Sequence, residues 1–133
     1  MSREKTLALR KNVKPFENSE LKKSIFQLIN TVPPFFIVWF LAYLSLDISV
    51  WLTVALSIVA AGLVIRTFII FHDCTHGSFF KNKKANNIVG TITGVISLFA
   101  YEKWKREHNI HHATSGNLDK RGVGDIWMMT VEE

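Results

Sequence analysis

All five histidines of this chain fall in two windows five residues wide, His72 to His76 and His108 to His112. Neutral imidazole is a nitrogen donor suited to iron, zinc, copper and nickel, so clustering of this kind points to a metal site without naming the metal. In His72-Asp73-Cys74-Thr75-His76 the histidines stand four positions apart, which on a helix sets them one turn apart on one face. His108-Asn109-Ile110-His111-His112 repeats at three and four positions and again presents its imidazoles on one side. A single cysteine, Cys74, excludes both an iron–sulfur cluster held by thiolates and an internal disulfide. Adjacent His111-His112 is unlike a transmembrane bis-histidine haem site, whose ligands come from separate buried helices.

The elements that must position these residues are apolar and long. No charge occurs from Ser24 to Leu46, and 18 more uncharged positions run from Ile48 to Ile65, with Asp47 between. Eighteen helical residues cover about 27 Å, close to the roughly 30 Å hydrocarbon core of a bilayer. The sequence therefore reads as an all-α membrane protein in which a helical hairpin of two spans, near Thr31 to Leu46 and Ser49 to Phe71, precedes the histidines. Pro33-Pro34 suits the opening turn of the first span. At 133 residues the chain is too small to bury two such helices inside a soluble core.

Charge sets the expected orientation. The net charge is +5 and the pI about 9.5, but the basic residues gather at Arg3 to Lys23, Lys81 to Lys84 and Lys103 to Arg106, flanking apolar runs. That pattern fits a membrane surface rather than nucleic acid. Basic segments on both sides of the hairpin and only Asp47 in its turn put both ends in the cytoplasm by the positive-inside rule. Residues 1–30 are then a basic cytoplasmic tail with no secretory signal, 31–71 the transmembrane hairpin, and 72–133 the histidine region. Arg66 is the exception within the second span, and near a helix end it can snorkel to the headgroups.

A third uncharged run, Ala85 to Tyr101, decides whether the histidines can meet. A full crossing would hold the two clusters about 30 Å apart, whereas metal–imidazole bonds are about 2.1 Å. Asn86, Asn87, Gly90, Thr91, Thr93, Gly94 and Ser97 make the run polar and small, and both its flanks are basic. The expected element is an interfacial or re-entrant helix that keeps both clusters on the cytoplasmic face.

With these residues in hand, a resemblance can be stated. His72-Asp73-Cys74-Thr75-His76-Gly77-Ser78-Phe79-Phe80 resembles the first histidine box of the membrane fatty acid desaturases. Trp104 with Glu107-His108-Asn109-Ile110-His111-His112 resembles the second, and the stretch from His111 to Trp127 is similar to the acyl-lipid, delta-12-like branch. Thr75 stands where many relatives have glycine, a departure that leaves the ligand spacing intact.

The resemblance implies a non-haem di-iron centre using O2 to place a double bond in a fatty acyl chain of membrane lipid. It makes His72, His76, His108, His111 and His112 iron ligands, with Asp73 and Asp125 as candidates to orient an imidazole. It also implies an electron donor such as ferredoxin or a cytochrome b5-type protein, and residence in a membrane, in bacteria the inner one. Cys74 and Trp104 read as packing residues. The family has a third histidine box further on, so five imidazoles leave a two-iron shell incomplete. The chain is thus expected to be an N-terminal portion, inactive alone, that a C-terminal complementing chain would complete. Two other readings stay open at this point: a related di-iron membrane hydroxylase, and an inactive truncated protein that retains metal-binding histidines.

Overall fold

The computed structural model describes residues 3–14 and 18–117, and they are helical without strands. In chain order the helices are α1 (Arg3–Val13), α2 (Leu21–Ile29), α3 (Val32–Leu44), α4 (Val50–Thr75), α5 (Lys83–Ile96) and α6 (Tyr101–Thr114). The apolar hairpin expected from the sequence is α3 and α4, joined by a 3-10 turn, Ser45–Asp47. At that turn the Ser45 hydroxyl donates to the Ala42 carbonyl at 2.7 Å and lies 2.8 Å from the Thr53 hydroxyl, so the tip satisfies its own polar groups.

The first apolar segment starts earlier than the sequence placed it, running from Leu21 to Asp47 with a break at Asn30 and Thr31. Lys22 and Lys23 gave α2 the look of a polar tail, yet Ser24 is buried and its hydroxyl lies 2.5 Å from the Phe79 carbonyl. The break has a covalent cause. Pro33 and Pro34 lack N–H donors, and their rings would clash with the carbonyls of Ile29 and Asn30 in a continuous helix. Helix α3 therefore restarts at Val32, with the prolines in its first turn.

Helix α4 has 26 residues, about 39 Å at 1.5 Å per residue, longer than a hydrocarbon core requires. Its last turn carries His72 and its C-cap is His76. Helix α5 starts where the Asn82 side chain accepts the backbone N–H groups of Lys84 and Ala85 at 2.8 and 3.3 Å. It buries Asn86, Gly90, Thr93 and Gly94, a face at helical spacing, and packs along α4. Small residues on that face let the backbones approach closely. At 14 residues, about 21 Å, α5 is too short to cross.

The chain then reverses. Phe99 N–H donates to the Gly94 carbonyl at 2.8 Å and Leu98 N–H to that of Val95 at 3.2 Å, the two bonds of a Schellman turn. Leu98 occupies its left-handed position at φ 63°, where glycine is usual, with its side chain 92% exposed. Helix α6 follows and returns the second cluster toward the end of α4, as the interfacial or re-entrant reading requires.

Candidate metal centre

The two clusters meet because three aromatic residues lock α6 against α4. Phe71, fully buried, packs edge-on to Tyr101 and Trp104, with ring centroids 5.9 and 4.9 Å away. The Tyr101 hydroxyl donates to the Cys74 carbonyl at 2.9 Å, and burial pushes its pKa up to about 12, so it stays a donor. Its ring occupies the space left by Gly90, where a Cβ would come within 2.2 Å of it. Under this layer the Asn86 side chain accepts from Phe80 N–H at 2.9 Å and donates to the Phe80 carbonyl at 2.7 Å. That pair fixes the segment leading from His76 into α5.

With α6 so placed, its His108 and His112 face His72 and His76 of α4. The Nε2 atoms of His72, His76 and His108 form a triangle with sides of 3.2, 3.0 and 3.0 Å, and His112 Nε2 lies 3.0 Å from that of His108. All four ligand atoms lie within 4.8 Å of one another. A neutral ring nitrogen offers one N–H or one lone pair, so three in a closed triangle cannot all satisfy each other by hydrogen bonds. A cation satisfies all of them. At metal–nitrogen bonds of about 2.1 Å, nitrogens 3.0–3.2 Å apart subtend roughly a right angle, the cis angle of octahedral coordination; a tetrahedral site would spread them to about 3.4 Å. The donor set therefore fits a transition-metal ion.

Electrostatics keep the donors available. Burial, then the neighbouring imidazoles led by His112, lower His108 to about 4; burial and His72 likewise lower His76, against an opposing pull from Asp73. Neutral imidazole is the form that ligates. Asp73 Oδ1 lies 3.3 Å from His72 Nδ1, on the side of the ring away from the cluster.

Of the expected site residues, His72, His76, His108 and His112 come together. His111 stands outside that group, its ring 6.0 Å from that of His108 and 5.7 Å from that of His112. Asp125 lies outside the described residues. Trp104 is a packing aromatic, as expected, and what it packs against is the site: its ring stacks on His108 at 4.2 Å and 23°, and meets His72 edge-on at 5.8 Å. The sequence reading missed Tyr101 and Asn86. Their only signal was polarity inside an apolar run beside small residues.

The family model for fatty acid desaturases matches residues 49–128, which hold α4, α5, α6 and every histidine. The chain belongs to the fatty acid desaturase family. It is 61% identical over 125 residues to a fatty acid desaturase of Bacillus subtilis (strain 168), covering 94% of this chain and 36% of that protein. It is 44% identical over 66 residues to a ferredoxin-dependent sn-1 acyl-lipid omega-3 desaturase of Synechocystis, covering 50% of this chain and 18% of the relative. With an sn-1 oleoyl-lipid 12-desaturase of Anabaena variabilis it shares 33% identity over 81 residues, 60% of this chain and 23% of the other. This desaturase segment thus spans about a third or less of the relatives it matches. No solved structure matches it.

Proposed function

We propose that this chain supplies the first two histidine boxes of an O2-dependent fatty acyl desaturase, with the grouped His72, His76, His108 and His112, and also His111, which stands outside that group, as ligands of a non-haem di-iron centre. The observation that supports this best is the set of four Nε2 atoms, contributed by two helices and held 3.0–3.2 Å from a neighbour. Iron, when bound, would supply the oxidising power to take one hydrogen from each of two adjacent unactivated methylenes, which have no acidic proton for a general base.

The chain's own part is to hold and orient. Asp73 beside His72 Nδ1 favours the tautomer whose Nε2 lone pair faces the cluster. Trp104 fixes the His108 ring by stacking, and Tyr101 fixes the rotation of α6. Helices α3 and α4 seat the site in a membrane, with the histidines on the cytoplasmic face and, in bacteria, in the inner membrane. The substrate is the acyl chain of a membrane lipid. The ferredoxin named for the Synechocystis relative supports a ferredoxin-type electron donor, with a cytochrome b5-type protein as the alternative.

The test joins these 133 residues to the remaining two thirds of the Bacillus relative. The fusion is expressed in a host lacking the corresponding double bond, and fatty acids are read by gas chromatography. New unsaturated acyl chains that need O2 and vanish in His108→Ala are expected. A hydroxylated product would assign the chain to hydroxylation instead, and no product from a folded, iron-loaded fusion would reject the reading.

A further inference from the structure

From Ser24 to Phe71 the chain carries only two charged residues, Asp47 in the hairpin turn and Arg66 in α4. Arg66 does not stand alone: its Nη2 donates to Asn30 Oδ1 at 2.8 Å, and Asn30 caps α2 at the break before α3. The two helices thus change character at one level. From that level to the turn, α3 with its 3-10 turn measures about 25 Å, and Val50 to Ile65 of α4 about 24 Å. An arginine stem adds several ångströms of reach, which brings the total near the roughly 30 Å of a hydrocarbon core.

Burial changes at the same level. Before Arg66, α4 buries Ala60 alone among the described residues; beyond it, α4 buries Thr67, Ile70, Phe71, Cys74 and Thr75. Beyond Arg66 the helix is packed into the cap that α5 and α6 make with it. Arg66 itself is exposed and permanently charged, with further N–H donors in a planar fork beyond the one given to Asn30. That fork matches a phosphate.

We propose that Arg66, held by Asn30, binds the phosphodiester of a membrane phospholipid and so fixes the hydrocarbon boundary of the hairpin. His72 and His76, six and ten residues further on, then stand about 9 and 15 Å along α4 past the Arg66 backbone, several ångströms less from the boundary its stem reaches, so an acyl chain must leave the bilayer interior to reach them. This needs the hairpin in a bilayer but neither metal nor turnover, so its failure leaves the reading of the histidines untouched.

The test uses the chain labelled with 13C at arginine Cζ, in phosphatidylcholine vesicles in phosphate-free buffer. Solid-state 13C–31P dipolar recoupling should show phosphorus-dephased arginine signal, and Arg66→Leu should remove about one fifth of the arginine signal from it, given five arginines. Identical dephasing in parent and variant would overturn the phosphate contact. A second arm does not depend on folding of that variant: nitroxides at Ile58→Cys or Ile69→Cys, each in Cys74→Ala, are relaxed by oxygen or by a chromium chelate. Position 58 should respond to oxygen and position 69 to the chelate. An equally oxygen-dominated response at both would overturn the boundary.

Discussion

Helices α3 and α5 are of similar length but bury opposite things. Helix α3 is apolar all round and hides only Ala42, leaving Phe36, Ile37, Trp39, Phe40 and Tyr43 outside. Helix α5 hides Asn86, Gly90, Thr93 and Gly94, and turns Ile88, Ile92 and Val95 outward. The hairpin is held in place by its solvent, a bilayer that accepts any apolar face. The cap formed by the end of α4 with α5 and α6 is held by specific fits, among them Phe71 between Tyr101 and Trp104. Changes of equal size should therefore do unequal damage in the two regions.

The largest expected difference is between Phe71→Ala and Ile58→Ala, each measured by unfolding in detergent. Phe71 is fully buried, and its loss should cost about 3–5 kcal/mol and abolish capture of divalent metal by the histidines. Ile58 is exposed on the hairpin and should change stability by no more than about 0.5 kcal/mol. If Ile58→Ala proved as damaging as Phe71→Ala, the distinction between the regions would fail.

Glycines give a second contrast. A Cβ at Gly90 meets the Tyr101 ring at 2.2 Å, and that ring cannot retreat because Phe71 and the Cys74 carbonyl hold it. Gly90→Ala should cost about 1–3 kcal/mol by overpacking. Gly62 in the hairpin has nothing within 4 Å of an added Cβ, and Gly62→Ala should cost nothing or stabilise slightly. Thermal unfolding followed by circular dichroism compares the two.

Tyr101→Phe should have a smaller effect, about 0.5–1.5 kcal/mol, because the Cys74 carbonyl it leaves still accepts the Gly77 N–H at 3.0 Å. Its specific signature is rotation of α6, visible as weaker metal capture with helicity unchanged.

The mildest perturbation is pH. His108 is held near 4 and His76 below its usual value, so as pH falls below about 6.5 the unfolded chain binds more protons than the folded one. The metal-free cap should lose stability progressively from about pH 6.5 toward 4, while the hairpin does not respond. Hydrogen exchange of α6 against α3 across that range measures the difference.

Much of this was legible beforehand, and the limits have physical causes. Uninterrupted apolarity announces a hairpin whatever its packing, and i, i+4 histidines announce one helical face. The return of α6 followed from the weakness of the run Ala85 to Tyr101. The fate of His111 did not follow. On a helix, positions 111 and 112 lie about 100° apart, so which of them joins His108 depends on the rotation of α6. Tyr101 and Trp104 set that rotation through contacts with Phe71 and Cys74, some thirty positions away in sequence. The early start of α2 was hidden for a similar reason, since Ser24 is buried by the Phe79 carbonyl, 55 positions distant.

The contact between His76 and His108 also has a meaning in polymer terms. It joins points 32 positions apart, and any cation seated there closes that loop. A cross-link over such a length withdraws about 3–4 kcal/mol of freedom from the unfolded chain, on the chain-entropy account used for disulfides. Unlike a disulfide, this closure comes undone with a chelator. The same donors would then act as a removable staple, and chelation should loosen the intervening segment, α5 included, while α3 keeps its protection.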